Sequence, residues 1–371
     1  MATSPVVSLL LVGAGHAHLH LLRHGQVLAD AGYAVTLLAP AHFHYSGVAV
    51  GSATGHLPAD AGRVDVAALT ARGPVAHHVG TLTELDLDGH RARCADGHWL
   101  DFDVISFNIG SVAAHHGIEV GEDVLTIKPL EGLVELDRRV SAAVDGLGQA
   151  QRNARITIVG GGSSSLELAA NLSHRPRVDV TVIEAAPRIY SSLPPGAHRR
   201  VMRLLNARGV RLHADLAVTR VETRFVVLSD GRRLAHDDVV LATGLVASPL
   251  VERLGLAGPG DAGQGIPVRA TLQHPEHDEV YAVGDCAHFL PRPLPRIGVY
   301  GVRQGPTLLA SLVARSRRQV LPEFVPQRRA LQVLDLGGGY GLAVRGRWWW
   351  LGRLPLRLKR FIDHQWLSDY R

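Results

Sequence analysis

Two glycine-rich segments have a spacing from which chemistry can be read: G-A-G-H-A-H from Gly13 and G-G-G-S-S-S from Gly160. In a strand–G-x-G-x-x-G–helix unit the first glycine permits a tight turn and the second lets the backbone approach a pyrophosphate. The third allows helix and strand to pack closely, and the helix N-terminus stabilises the anion. Gly13 and Gly15 meet the first two needs in one copy, Gly160 and Gly162 in the other; His18 and Ser165 occupy the third position. Beyond the second loop, T-V-I-E ends on Glu184, placed to bind a ribose 2′-hydroxyl as in NAD sites. Arg188 is close enough to accommodate a 2′-phosphate, so NADH is favoured over NADPH only modestly. The matching strand end in the first copy is Ala39, with no acid nearby.

The elements that must hold these loops are legible as well. Val6 to Val12 is a continuous apolar strand, followed by the loop, a helix-compatible stretch to about Ala31 and the strand Ala34 to Leu38. The second copy runs from Ile156–Val159 through the loop and L-E-L-A-A-N-L to Val178–Ile183. Each unit leads into hairpin-like strands with an Asp-Gly turn, Asp96-Gly97 or Asp230-Gly231, and closes on an apolar strand ending at Gly110 or Gly244. The same order with different spacing indicates duplicated domains, not a short-period repeat.

Composition sets the bounds. With 371 residues, 46% hydrophobic and 20% charged, the chain can form two domains with substantial cores, and disorder is excluded as its main state. Its only cysteines, Cys94 and Cys286, exclude a disulfide framework, a four-cysteine zinc site, a cysteine-ligated iron–sulfur cluster and a C-x-x-C redox pair. The net charge of +5 comes almost wholly from arginine, and nucleic acid is not an expected partner. There is no apolar run of membrane-spanning length. The N-terminus lacks a basic region and runs into a strand and glycine turn, which reads as a cytoplasmic protein.

Five motifs together resemble a known family: V-G-A-G-H-A-H, N-I-G at Asn108–Gly110, V-G-G-G-S-S-S-L-E-L-A, A-T-G at Ala242–Gly244 and V-Y-A-V-G-D-C-A at Val280–Ala287. They resemble the pyridine nucleotide-disulfide oxidoreductase superfamily of FAD proteins. Within it, the chain is most similar to type II NADH:quinone dehydrogenases and to FAD/NAD(P)-dependent oxidoreductases associated with selenide-water dikinase. The resemblance implies an α/β fold of two Rossmann-like domains, of three-layer ββα type, plus a short C-terminal region. It implies an FAD domain over 1–120 and 265–320, an NAD(P)H domain over 121–264, and a C-terminal region over 321–371. Asp285 would bind the ribityl side of FAD, with Gly284 allowing close approach. Paired-cysteine disulfide reduction and sulfide oxidation are disfavoured, because neither cysteine matches those catalytic positions.

Several residues admit two readings. His16 and His18 leave the first loop beside the expected FAD pyrophosphate; with His20 and His24 they also suggest a metal, but no cysteine or carboxylate completes a site, and no metal is assigned. The pairs His42/His44, His77/His78 and His115/His116 read as surface or structural. Glu167 is either a glutamate at the nicotinamide–flavin junction, as the resemblance implies, or an ordinary first-turn carboxylate. Lys128 either stabilises reduced flavin or is a solvated linker charge. Gly298–Gln304 should open a helix whose backbone, Val299 included, faces the flavin. There Tyr300 and Gln304 are acceptor-site residues, or Tyr300 simply packs the interdomain seam.

The segment from Arg345 to Arg360 carries six basic residues and no acidic one. Leu358, Phe361, Ile362 and Trp366 then recur at helical spacing, which suits a peripheral contact with the inner face of the cell membrane, a homodimer contact, or a cover over the FAD domain. The functional expectation is an FAD enzyme oxidising NAD(P)H and reducing a quinone-like acceptor. The alternatives are a soluble flavin reductase linked to selenium or small-molecule metabolism, and a non-catalytic dinucleotide-binding regulator.

Overall fold

The computed structural model describes residues 6–121, 123–258 and 263–371. Two five-stranded parallel sheets organise it. The first has the strand order Val280–Ala282, Val104–Phe107, Val7–Val12, Tyr33–Ala39, Val75–Val79. The second has the order Leu125–Thr126, Asp238–Leu241, Ala154–Val159, Val178–Ile183, Arg211–His213. In both, the strand preceding the glycine loop is central, so its apolar residues can be buried on both faces.

Side-chain alternation along the second sheet accounts for its layers. Ile156, Ile158, Val180, Val182 and Val240 pack toward the helices, while Val159, Ile183, Val239 and Leu241 pack toward a smaller sheet. That sheet comprises Glu119–Val120, Val218–Val221, Phe225–Leu228 and Arg233–Ala235. In the first half an antiparallel meander, Leu82–Asp86, Arg91–Cys94 and Trp99–Asp101, contributes Leu82, Ala92 and Cys94 to the core.

The helix expected to reach Ala31 is divided into His16–Arg23 and Gly25–Asp30. His24 leaves helical geometry at the junction, and a side chain at Gly25 would meet Val75 Cγ2 at 2.9 Å. The Gly298–Ser316 helix lies against His16–Arg23. Their close approach depends on Gly305, whose Cβ would be 2.9 Å from that of His20.

The C-terminal region folds as an antiparallel sheet, Gln332–Asp335, Gly341–Arg345 and Trp348–Gly352, followed by the Arg353–Ser368 helix. It spans both cores: Leu334, Leu336, Leu342 and Val344 join one, Leu367 and Tyr370 the other. The single apolar face expected of its helix is in fact two. Trp366 turns inward, whereas Leu358, Phe361 and Ile362 are exposed. Among the described residues no helix is long and apolar enough to cross a membrane.

Candidate functional site

The first glycine turn is held by Asn108. Gly13, at φ +86°, donates to Leu38 O, and Gly15 N donates to Asn108 O at 3.2 Å. The Asn108 side chain then supplies the cap that Gly15 lacks: Oδ1 accepts from Ala17 N at 3.0 Å and His18 N at 3.3 Å. Its Nδ2 donates to Val283 O at 2.9 Å, tying the loop to the Gly284 turn. Sequence reasoning noted N-I-G but missed this role; the readable signal was an amide directly after a buried strand, Val104–Phe107.

Two cavities open from the paired loops. One, of about 390 Å³, is lined by Gly13–Gly15, Gly80–Leu82 and Asn108–Gly110, and by His42 and His44, which had been read as surface or structural. Gly110 has φ +75° and no atom within 4 Å of a would-be Cβ, so its backbone is open to a ligand. The other, of about 830 Å³, runs from Gly160–Ser164 and Glu184 to Ser46, Lys128 and Gly298. A Cβ at Gly162 would likewise meet nothing, whereas one at Gly160 would be 2.3 Å from Ala242 O. These open cradles at paired strand–helix turns fit the two dinucleotides. Glu184 lines the second cavity while accepting from the backbone N–H groups of Gly161 and Ala186. Gly244, at φ +102°, lies on the same wall beside His116, which bonds Thr243 O at 2.9 Å. His116 is therefore a cavity residue, not simply a surface one.

The third-position residues do a different job. His18 is wholly buried, its ring nitrogens bonded to Gly13 O and Ser106 Oγ, and Ser165 is equally buried. Both fill helix–strand packing and neither lines a cavity, which corrects the expectation that they contact cofactor. Burial pushes the His18 imidazole down to about 4.

At the far end of the larger cavity Lys128 Nζ is 2.6 Å from Asp285 Oδ2, which also accepts from Ser111 Oγ at 2.8 Å. Lys128 is thus half of an ion pair and not a solvated linker charge. Burial opposes ionisation of Asp285, but Lys128 and Ser111 together hold its carboxyl below the usual range. Gly284, at φ +70°, donates to Gln304 Oε1 at 2.6 Å. Gln304 is buried in that role and Tyr300 is buried in the core, so neither lines a cavity, contrary to the acceptor-site expectation. The Gly298–Ser316 helix begins where expected; Ile297 and Gly298 line the cavity, and Val299 packs at the edge of the core.

His16 faces Phe43, Tyr45 and Trp366 at ring separations of 5.2, 5.8 and 5.1 Å, and Trp366 stacks on Tyr45 at 4.2 Å. Burial pushes His16 down to about 4, with Lys128 acting in the same direction and Asp285 against it. Behind this group Tyr45 donates to Asp363, and Lys359 Nζ lies 3.0 Å from Asp363 and 3.9 Å from Glu167. Lys359 also bonds Gly47 O, next to Ser46 on the cavity wall. Glu167 Oε1 accepts from Asp335 N at 2.8 Å, and burial pushes its carboxyl up to about 7 despite Lys359. Glu167 does not line the cavity; it lies behind the wall, against the C-terminal region. Neither cysteine lines either cavity, and burial pushes the Cys286 thiol up to about 11.

Two glycine-loop cradles, the larger of which reaches the half-buried Lys128–Asp285 pair, are the arrangement of a protein that binds two dinucleotides. The family model described as pyridine nucleotide-disulphide oxidoreductase matches residues 7–308, and the chain belongs to that family. It is an oxidoreductase that binds FAD and NAD(P)H, which sets aside the non-catalytic alternative. The NADH dehydrogenase-like protein YutJ of Bacillus subtilis is 25% identical over 369 residues, covering 95% of this chain and 96% of that one. A type II NADH:quinone oxidoreductase of Haemophilus influenzae is 27% identical over 151 residues, 37% of this chain and 34% of that protein. The solved NDH2 from Plasmodium falciparum in complex with NADH matches at TM-score 0.86 and 11% identity, over 98% of this chain and 97% of that one.

Proposed function

We propose that this enzyme takes hydride from NADH and passes the electrons to a quinone-type acceptor. One observation carries the reading: the larger cavity is continuous from Glu184 and the second glycine loop to Lys128 and Gly298. A nicotinamide entering from the Glu184 end therefore reaches the place where a flavin ring, anchored by the first loop and Asp285, would lie. FAD bound there supplies the hydride-accepting chemistry. The protein's own contribution is position and charge. The N-terminus of the Gly298–Ser316 helix places positive potential at that end, favouring negative charge developing on the ring, while Lys128 holds the Asp285 carboxylate in place.

Glu184 suits a free ribose 2′-hydroxyl, and Arg188 is directed to Leu193 O, away from the cavity. Both features favour NADH over NADPH. Passing the hydride's two electrons and its proton to a quinone requires one further proton to form the quinol. Glu167, with its carboxyl near neutrality and Lys359 beside it, holds a proton close behind the cavity wall and supplies it toward the acceptor. The exposed Leu354, Leu358, Phe361 and Ile362, flanked by Arg353, Arg357 and Arg360, support contact between the C-terminal helix and a membrane surface holding that acceptor.

The test is an anaerobic titration of the purified flavoprotein. NADH should bleach the flavin at lower concentration than NADPH, and a short-chain quinone should restore its colour. Bleaching that quinone does not reverse would refute the acceptor assignment. A flavin that neither nucleotide touches would refute the hydride step.

A further inference from the structure

A second chemical centre is formed where the first domain's meander meets its sheet edge. His78 lies on the outermost strand, Val75–Val79; Cys94 ends the strand Arg91–Cys94; and Asp96 and His98 belong to the turn that follows. One ligand atom from each of His78, Cys94 and Asp96 falls within 4.8 Å of the others. Asp96 Oδ2 is 2.9 Å from His78 Nε2 and 3.3 Å from His98 Nδ1. We propose that His78, Cys94, Asp96 and His98 form a binding site for a zinc-class divalent metal ion, separate from the dinucleotide clefts.

The donor set and its geometry support this assignment. Thiolate, two imidazoles and a carboxylate are the mixed N/S/O donors that suit a tetrahedral borderline metal, while magnesium and calcium prefer oxygen alone. Bonds of about 2.0–2.3 Å place tetrahedral ligands roughly 3.3–3.8 Å apart, so side-chain adjustments of about an ångström close His78, Cys94 and Asp96, and the exposed His98, already 3.3 Å from Asp96, turns inward to complete the set. Backbone structure presets the turn: Gly97, at φ +91°, donates to Cys94 O, and His98 N donates to Asp96 Oδ1. Three of the four donors thus come from the five-residue chelate Cys94–His98, and the fourth comes from a neighbouring strand. The cluster also has a path to solvent, because the His98 side chain is 74% exposed and that of Asp96 46%.

The sequence reading assigned no metal and took His77/His78 as a surface or structural pair; only the fold brings His78 beside the Cys94–His98 turn. The bound ion would fasten the meander to the sheet edge. It would also steady Gly80–Leu82, which lines the smaller cavity. A Cβ at Gly80 would be 3.6 Å from the His78 ring, so this wall lies beside the cluster.

The experiment uses full-length flavoprotein stripped with a chelator and titrated with Co²⁺. Tetrahedral cobalt has visible bands to the red of flavin absorption, which separates this signal from the cofactor. One equivalent of Co²⁺ should produce intense tetrahedral bands that one equivalent of Zn²⁺ removes. Cys94→Ser should abolish or markedly shift them. His98→Gln, at an exposed position that does not threaten folding, should weaken binding by roughly tenfold or more. Weak octahedral bands, or tetrahedral bands unchanged in both variants, would overturn the proposal and assign the binding to other histidines.

Discussion

Asn108 joins three segments that the sequence separates widely. Its Oδ1 caps the first loop helix, and its Nδ2 reaches Val283 O at the end of the adjacent strand, just before the Gly284 turn. Asn108→Ala removes the cap and leaves Val283 O without this donor, so a loss of about 2 kcal/mol is expected in urea unfolding of flavin-free protein. The same variant should release flavin more readily on dilution. Unchanged stability together with unchanged flavin retention would show that the asparagine is passive.

Three buried titratable residues give opposed pH dependences. Glu167 is near 7 in the folded protein and close to 4.5 unfolded, so between those values the native state holds the extra proton. Its contribution is present at low pH and is lost as pH rises through that window, by roughly 3 kcal/mol. Glu167→Gln should therefore gain stability relative to the parent between pH 4.5 and 8. His16 and His18, both near 4 when folded against 6.5 unfolded, act the other way. There the unfolded state takes up protons first, so stability falls as pH drops from 6.5 toward 4. Urea midpoints across pH for the parent and Glu167→Gln check this; a difference that does not vary with pH would refute the Glu167 assignment.

Among the elements, the two glycine loops were legible because their chemistry is local: a strand, a turn requiring positive φ, and a helix follow each other directly. His18 and Ser165 line neither cavity because, on their helices, both positions fall on the buried face that packs against the sheet and not on the face turned to the loop. Burial likewise keeps Tyr300 and Gln304 of the Gly298–Ser316 helix off the cavity walls. Gly160 and Gly162 separate the two uses of glycine. Gly160→Ala would force Cβ against Ala242 O at positive φ and should destabilise the second domain by about 2 kcal/mol or more. Gly162→Ala meets only open cavity, so folding should change little while KM for NADH rises several-fold. Thermal unfolding paired with NADH kinetics distinguishes them; equal behaviour of the two variants would refute the division.

At the scale of the whole molecule, the C-terminal region was the part least legible in the sequence. Helical spacing showed that its helix is amphipathic, but not which of several apolar residues face protein. The fold assigns Trp366 to the stack with Tyr45 and His16, and leaves Leu358 and Phe361 outside. One helix is thus both a wall behind the cofactor cleft and an exposed apolar surface, and the two roles can be separated. Replacing Leu358 and Phe361 by serine removes apolar area from the surface alone, since Phe361 is 65% exposed. The doubly substituted protein should retain its flavin and its activity on a water-soluble quinone, while flotation with anionic lipid vesicles falls several-fold. Trp366→Ala instead opens space beside His16, and should lower stability by about 3 kcal/mol and loosen flavin with little effect on flotation. Loss of flotation in the Trp366 variant alone would place the membrane contact on the opposite side of the helix. Flotation retained by both variants would remove the C-terminal helix from membrane contact, leaving it a structural bridge between the two cores.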